Sequence, residues 1–227
     1  IAIPDIDAGM CDACDKCVDF CQFNALASVG KTPLLFPELC HACGGCMLVC
    51  PRDAIREKDH RIGVIKTSQA GAITLKSGCL DVGVSSASTL VHAVKERMDS
   101  DITTIIDSPP GTACQAVAAL RGADFVVLVT EPTPFGLHDL RLAVDTVREL
   151  RLPFGVVINR VGIGDERVHR YCADDGIAIL LEIPDDRRIA EAYSRGQIIV
   201  DALPEYRKHF ERLWQAIFQK SGQEVAA

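Results

Sequence analysis

The run CDACDKCVDFC occupies residues 11–21, and the run CHACGGCMLVCP occupies residues 40–51. Both runs place four cysteines at the spacing C-x2-C-x2-C-x3-C, and a proline closes the second run. At this spacing, three close cysteines bind one iron–sulfur cluster and the fourth binds a neighbouring cluster. The two runs therefore predict a pair of 4Fe–4S clusters.

The spacing also predicts which cysteines share a cluster. We expect one cluster to be held by Cys11, Cys14, Cys17 and Cys50, and the other by Cys40, Cys43, Cys46 and Cys21. The alternative is a pair of structural zinc sites, but those usually combine two CxxC pairs across a longer loop. The segment resembles a bacterial two-cluster ferredoxin over about residues 4–58. A segment of this size has almost no apolar core, so the clusters are expected to hold it together.

The chain as a whole has the composition of a packed globular protein. Of its 227 residues, 48% are apolar and 24% are charged, and the formal net charge is −7. That charge argues against a nucleic-acid partner, and no apolar run approaches the roughly 18 residues that span a membrane. The eleven cysteines are odd in number and mostly crowded at short spacings, which favours bound metal and a reducing compartment over disulfides. We therefore expect a soluble, cytoplasmic protein.

From about residue 59 onward, apolar runs rich in β-branched residues alternate with helical patterns. This alternation predicts an α/β domain over residues 59–227, with a parallel sheet that has helices on both faces. The candidate strands lie at residues 62–67, 73–75, 102–106, 125–130, 154–158 and 177–181. Ligands of such sheets bind beyond the carboxyl ends of the strands, which is where we look for a site.

Polar or turn-forming residues follow three of the predicted strands. They are Asp107 with Gly111, then Asn159, and then Pro184 with Asp186. A carboxylate at a strand end can orient a water molecule or hold a magnesium ion, and an asparagine amide can pair with a purine edge. Each residue alone is equally consistent with an ordinary turn or helix cap. Three such positions at strand ends together favour a nucleotide site.

Together with the cysteine runs, these segments resemble MinD/ParA-superfamily P-loop ATPases with an inserted two-cluster ferredoxin domain, in the CobQ/CobB/MinD/ParA nucleotide-binding family. The resemblance rests on IIDSPPG at 105–111, TEPTPFGLHDL at 130–140, GVVINR at 155–160 and IPDDRRIAEAYSRG at 183–196. It implies an ATP/ADP and Mg²⁺ site in which Asp107 is the catalytic Walker B carboxylate and Gly111 belongs to switch II. It also implies that Asn159 contacts adenine, while Pro184 and Asp186 line the adenine and ribose pocket.

The phosphate-binding motif of that family, GxxxxGK[ST], does not occur in this sequence. The tripeptide Gly30-Lys31-Thr32 resembles its end, but Ala25 stands where the first glycine of the motif belongs. We expect this tripeptide to form a turn between the two cysteine runs. We interpret residues 1–3 as the end of an N-terminal portion that carries the motif in related proteins. Whether the chain as printed is an enzyme therefore stays open.

Two further cysteines, Cys79 and Cys114, flank the predicted switch segment. The nitrogenase iron protein, a relative in the same ATPase class, has cluster-ligating cysteines at similar offsets from its switch aspartate. By that resemblance, Cys79 and Cys114 of two chains would ligate a third cluster that bridges a dimer. The alternative is that both are ordinary packing or loop residues. Cys172 is predicted to be a core residue.

The resemblance implies that nucleotide binding and hydrolysis are coupled to electron transfer through two clusters to a redox partner protein. Residues 1–60 contain 5 Lys/Arg and 9 Asp/Glu, so we expect a basic patch on that partner. The chain is expected to act as a homodimer or beside a paired paralogous ATPase. Two alternatives stay open, namely an iron–sulfur cluster carrier or assembly ATPase, and a passive ferredoxin-type electron carrier with a non-hydrolysing docking domain.

Overall fold

The computed structural model describes residues 1–84 and 87–222. Contacts between residues divide the chain into two compact units, Ile1–Ile106 and the part that begins at Asp107. The first unit contains the whole predicted ferredoxin segment together with the residues up to Ile106. The domain ranges 4–58 and 59–227 stay predictions.

Two short antiparallel strand pairs frame the cysteine-bearing part of the first unit. They are β1 (Ala2–Ile6) with β4 (Ile55–Asp59), and β2 (Leu26–Ala27) with β3 (Leu34–Leu35). Between them lie α1 (Lys16–Phe20), a 3-10 turn at Pro37–Leu39, and α2 (Gly45–Leu48). The buried apolar cluster of this part is small and centres on Cys17, Leu26 and Ile55. Because so little apolar surface is buried, we expect bound groups to stabilise this part.

The two strands predicted at 62–67 and 73–75 form an antiparallel hairpin, β5 (Gly63–Ala70) with β6 (Ile73–Leu80). They are thus strands, but they pair with each other and not with the parallel sheet. The helix α3 (Ser88–Lys95) packs on β6, where Gly78 leaves room for the side chain of Leu90. The hairpin arises because only Gly71 and Ala72 separate the two strands, which is too short for a parallel crossover.

The second unit has the predicted α/β fold. Its parallel sheet has the order β7-β8-β9, formed by β7 (Val126–Thr130), β8 (Phe154–Val161) and β9 (Ile179–Pro184). Its helices are α4 (Cys114–Leu120), α5 (Pro134–Glu149), α6 (Arg167–Asp174), α7 (Arg187–Ser194), α8 (Ile199–Ala202) and α9 (Arg207–Ser221). Across residues 1–84 and 87–222, no helix combines the length and the apolar character needed to cross a bilayer.

The central strand β8 is buried on both of its faces. Val156 and Ile158 are inaccessible to solvent on one face, where they belong to one buried cluster with Val144 of α5 and Val168 of α6. Val157, on the opposite face, is 4% exposed. Continuous apolar residues are therefore required in β8, which explains why the sequence there has no polar alternation.

The predicted strand at residues 102–106 is wrong for the described chain, because these residues form no strand. Among the described residues, the strands β7, β8 and β9 pair only with one another. Ile102 is 59% exposed and Ile105 is 82% exposed. An apolar, β-branched sequence is not sufficient for a strand, because the backbone also needs the hydrogen bonds of a neighbouring strand. The predicted turn at residues 30–32 is confirmed, with Gly30 at φ +73°.

Candidate functional site

The two cysteine runs repeat the same backbone conformation. In each run, the residues two and four positions after the first cysteine have positive φ, as does the residue three positions after the last cysteine. These residues are Ala13, Asp15 and Asn24 in the first run, and Ala42, Gly44 and Asp53 in the second. Left-handed residues of this kind make successive N–H groups converge on one side of the chain, which forms a nest for anions. Five of the six are not glycine, so each run maintains a conformation that costs energy.

The first cavity brings together cysteines from both runs. Cys11, Cys14 and Cys17 line it together with Cys50, which is distant in sequence. The backbone N–H of Ala54 donates a 3.4 Å hydrogen bond to the Cys50 sulfur. The cavity is thus lined by three cysteines of one run and by the last cysteine of the other.

The second cavity shows the reciprocal arrangement. Cys40, Cys43 and Cys46 line it together with Cys21, the last cysteine of the first run. The cavity has a volume of about 250 Å³, and Phe20, Phe23 and Met47 also line it. Each cavity is therefore lined by four cysteines, three from one run and the last from the other.

Burial makes two of these thiols weak acids. The pKa of Cys46 is raised to about 11, first by burial and then by the neighbouring thiols of Cys40 and Cys43. Burial likewise raises the pKa of Cys17. Both thiols are therefore protonated at neutral pH without bound iron, and cluster binding has to release their protons.

The donor atoms fit polynuclear clusters. Four cysteines line each cavity, which is the number of thiolate ligands that one 4Fe–4S group takes. In the described ranges 1–84 and 87–222, no three His, Cys, Asp or Glu side chains lie close enough to hold a single metal ion. All eleven cysteines are free thiols. Ligation of iron by the eight cysteines of the runs stays a prediction.

At the other candidate site, the carboxyl ends of the parallel strands converge. Asn159 lies near the end of β8, and Pro184 ends β9 beside Val161. The Arg160 guanidinium links the strand ends, because it pairs with Asp185 at 2.9 Å and Glu131 at 3.5 Å. Sequence reasoning missed this ion-pair network. Its signal was present, since Arg160 follows Asn159 and a carboxylate directly follows both β7 and β9.

Asp186 caps helix α7. Its carboxylate accepts hydrogen bonds from the backbone N–H of Arg188 at 2.9 Å and from the Tyr206 hydroxyl at 3.0 Å. The Arg188 guanidinium pairs with the same carboxylate at 2.6 Å. The hydrogen bonds from Arg188, together with that from Tyr206, lower the pKa of Asp186 from 3.8 to about 2. The side chain therefore already has a structural function beside the one the resemblance implies.

The variant Asp186→Asn is expected to lose stability that depends on pH. Because the pKa of Asp186 is lower in the folded chain, its ionisation stabilises the fold above about pH 4. That contribution is lost as the pH falls from about 4 to about 2, so the difference in unfolding free energy between wild type and variant should shrink over this range. Urea unfolding, followed by the fluorescence of Trp214, measures this difference.

The control is Asp174→Asn, since Asp174 is exposed and makes no ion pair with any described residue. It removes the same charge without removing the contacts that Asp186 makes, so it should cost less stability than Asp186→Asn at neutral pH. A stability difference for Asp186→Asn that persists unchanged to about pH 2 would contradict the assignment.

The structure does not join the remaining predicted residues to these strand ends. Asp107 is exposed in a segment without regular structure, and Gly111 has φ +85°. Within the part of the chain that the structure describes, no hydrogen bond or ion pair links Asp107 to Asn159 or Asp186. Cys79 in β6 and Cys114 at the start of α4 are both exposed. Cys172 is 1% exposed in the α/β core, which confirms that prediction.

Comparison with known proteins finds a matching domain family in the first unit and several similar proteins. Residues 33–56, which include the second cysteine run, match the 4Fe–4S binding domain family Fer4. The chain is 31% identical over 203 residues to the uncharacterized protein MJ0579 of Methanocaldococcus jannaschii, covering 87% of this chain and 68% of that protein. It is 29% identical over 158 residues to the uncharacterized protein MJ0578 of the same organism, covering 68% of this chain and 55% of that protein.

Two further similarities concern proteins with named properties. The chain is 28% identical over 116 residues to an iron–sulfur cluster carrier protein of Aquifex aeolicus, covering 44% of this chain and 32% of that protein. The crystal structure of the cell division ATPase MinD of Pyrococcus furiosus matches 68% of this chain and 69% of its own, with a TM-score of 0.55 and 25% identity. The chain thus spans at most about two thirds of the length of these proteins.

Proposed function

The chain belongs to the MinD/ParA-like family of P-loop ATPases, in the branch with an inserted ferredoxin domain, and on this basis we propose that it couples nucleotide binding and hydrolysis to electron transfer through two 4Fe–4S clusters. Iron–sulfur binding is the property of the matched domain. The proposal adds a second cluster, a bound nucleotide, and the coupling of nucleotide binding and hydrolysis to electron transfer.

The observation that carries the proposal is the division of eight cysteines between two cavities. Each cavity is lined by three cysteines of one run and by the last cysteine of the other. Bound there, the 4Fe–4S groups would supply one-electron transfer at low potential. The residues of the chain supply the ligand sulfurs, the surrounding N–H groups and the apolar wall that limits access of water.

The nucleotide part of the proposal rests on the strand ends of the second unit. Asn159 lies near the end of β8, Pro184 ends β9, and Asp186 follows two residues later, at the sheet edge where ligands of such sheets bind. Asp107 would orient water or hold Mg²⁺, and Gly111 would allow the switch segment to follow the phosphates. The Arg160 ion pairs support the proposal because they fix the strand ends next to the Asn159 amide.

Iron and sulfide analysis of the anaerobically reconstituted protein tests the cluster content. We expect about eight irons and eight acid-labile sulfides per chain, with a broad visible absorption that dithionite bleaches. Stoichiometric zinc after the same treatment, or a protein without iron, would refute the redox function.

Nucleotide use is tested on the protein as its gene encodes it, with a variant of the predicted catalytic carboxylate. Asp107→Asn should retain ATP binding and lose ATP hydrolysis by about 100-fold or more, because the attacking water is no longer oriented. Asp124→Asn, which alters another exposed carboxylate of the same unit, serves as control. Equal hydrolysis by Asp107→Asn and wild type would remove Asp107 from the catalytic site.

A second candidate function is iron–sulfur cluster transfer. It is favoured by the similarity to the cluster carrier protein of Aquifex aeolicus and by the exposure of Cys79 and Cys114. A carrier hands its cluster to an apo-acceptor, whereas an electron carrier keeps its iron through repeated reduction and oxidation. Iron content after such cycling in the presence of an apo-ferredoxin separates the two functions. A passive ferredoxin-type carrier would retain its iron and show no response to nucleotide.

Partners are part of the same proposal. We include a redox partner protein and either a second copy of this chain or a paralogous ATPase. Pairing of paralogues agrees with the presence of two related proteins in one organism, Methanocaldococcus jannaschii. If Cys79 and Cys114 of two chains share a cluster, the iron content rises by about two per chain above eight. The free thiols and the chemistry of iron–sulfur clusters agree with the cytoplasm as the compartment.

A further inference from the structure

The two cysteine runs repeat one backbone, so their corresponding positions can be compared directly. The residue after the first cysteine is Asp12 in the first run and His41 in the second. The residue two positions after the last cysteine is Phe23 in the first run and Arg52 in the second. Asp12 and Arg52 line the first cavity, whereas Phe23 and His41 line the second. Equivalent positions are therefore charged at one cavity and aromatic at the other.

Phe20, Phe23 and His41 form what we call the aromatic mouth of the second cavity. The rings of Phe23 and His41 are stacked, with centroids 3.8 Å apart and planes 12° from parallel. Phe20 is 46% exposed and Phe23 is 41% exposed, although both line the cavity. The ring of Phe20 lies over Gly45 so closely that a Cβ atom there would overlap it. Large rings exposed beside a functional cavity are typical of a surface that a partner covers.

The charges around the two cavities differ as well. Asp12, Asp15, Lys16 and Arg52 line the first cavity. Glu57 is the charged residue in the lining of the second, and no lysine or arginine among the described residues lines it. A partner with a basic rim would meet two carboxylates and two cations at the first cavity. At the second, it would meet one carboxylate and no lysine or arginine among the described residues. Charge complementarity therefore favours the second cavity.

We infer that the aromatic mouth is the docking surface for the redox partner, an inference that rests on the proposed electron transfer. This partner is an electron-transfer protein whose redox group opens onto an apolar surface ringed by lysine or arginine. In the transfer step, the reduced form of this protein loses one electron and the redox group of the partner gains it. No covalent bond or proton changes place. The aromatic mouth contributes apolar contact, and Glu57 contributes attraction to the basic rim.

The test uses the reconstituted, dithionite-reduced full chain and oxidised cytochrome c, a basic one-electron acceptor, as the probe. Stopped-flow absorbance gives the second-order rate of cytochrome reduction. Phe23→Ser should lower this rate roughly five-fold or more, because the apolar contact is lost. Its matched control is Leu34→Ser, since Leu34 is 49% exposed and lines neither cavity. That control should change the rate less than two-fold.

A second pair of variants tests the charge. Glu57→Gln should slow the reaction roughly three-fold at low salt, and this effect should fade at high salt. Asp12→Asn removes the same charge at the first cavity and should leave the rate nearly unchanged. If Asp12→Asn slows the reaction as much as Glu57→Gln or more, the partner does not dock at the aromatic mouth.

Iron content and the EPR spectrum of the reduced protein are measured for every variant. If the wild-type protein does not hold iron, the proposed function is refuted. If all variants hold full iron but each variant reduces cytochrome c as fast as its matched control, only the docking surface is refuted. If Phe23→Ser fails to bind iron, the pair Glu57→Gln and Asp12→Asn decides the question. Neither of these two side chains is buried, and neither is a predicted ligand.

Discussion

Replacing Cys50 by alanine should halve the iron content of the reconstituted protein, from about eight to about four irons per chain. Cys50 belongs to the second run, but it lines the cavity of Cys11, Cys14 and Cys17. A cluster with three cysteine ligands in place of four is readily lost, so we expect the first cavity to become empty. Iron and sulfide analysis and the EPR intensity of the reduced protein measure the loss.

Double variants test the crossed pairing of the runs. Cys11→Ala combined with Cys50→Ala should lose no more iron than either single variant, because both sulfurs face one cavity. Cys40→Ala combined with Cys50→Ala should lose nearly all iron, because these sulfurs face different cavities. The reverse pattern, with the Cys40 and Cys50 pair retaining half of the iron, would show that each run binds its own cluster.

Gly164→Ala should destabilise the second unit by about 3 kcal/mol or more. Gly164 lies between β8 and α6 with φ +81°, a conformation that costs energy for any other residue. In addition, a Cβ atom at this position would overlap the carbonyl oxygen of Pro132. That oxygen also accepts a 3.1 Å hydrogen bond from the N–H of Asp165, so it cannot shift freely.

Gly162→Ala is the matched control, two residues away in the same loop. Gly162 has φ +106°, but a Cβ atom there would contact nothing within 4 Å. Only the cost of placing alanine at a positive φ remains, so we expect the unfolding free energy to fall by about 1–2 kcal/mol. Urea unfolding followed by the fluorescence of Trp214, the single tryptophan, compares the two variants. Equal losses would show that the loop can move away from Pro132.

The sequence was most informative where chemistry depends on residue type and short spacing. A doubled C-x2-C-x2-C-x3-C run identifies thiolate ligands of iron–sulfur clusters without any knowledge of packing. The α/β fold of the second unit was also predictable, because a strand such as β8, buried on both faces, needs a continuous apolar run. The likeness to MinD/ParA-like ATPases followed from four segments, three of which lie on or directly after β7, β8 and β9.

The sequence was least informative where an element depends on its neighbours. The apolar run at 102–106 resembles a strand, but Ile105 is 82% exposed and the run forms no strand in the described chain. The strands β5 and β6 form an antiparallel hairpin because the two residues that connect them are too few for a parallel crossover. The ion pairs of Arg160 depend on the fold, because only the parallel sheet brings Glu131 and Asp185 within its reach.

By itself, then, the amino-acid sequence determined the kind of ligand atoms and the class of fold, because both depend on local residue type and periodicity. The tertiary structure alone decided that the rings around the second cavity stack, and that Tyr206 donates a hydrogen bond to Asp186. These contacts join residues far apart in the chain, namely Phe23 with His41 and Asp186 with Tyr206. Only folding brings such residues within a few ångströms, where hydrogen bonds, charges and shared ligands act.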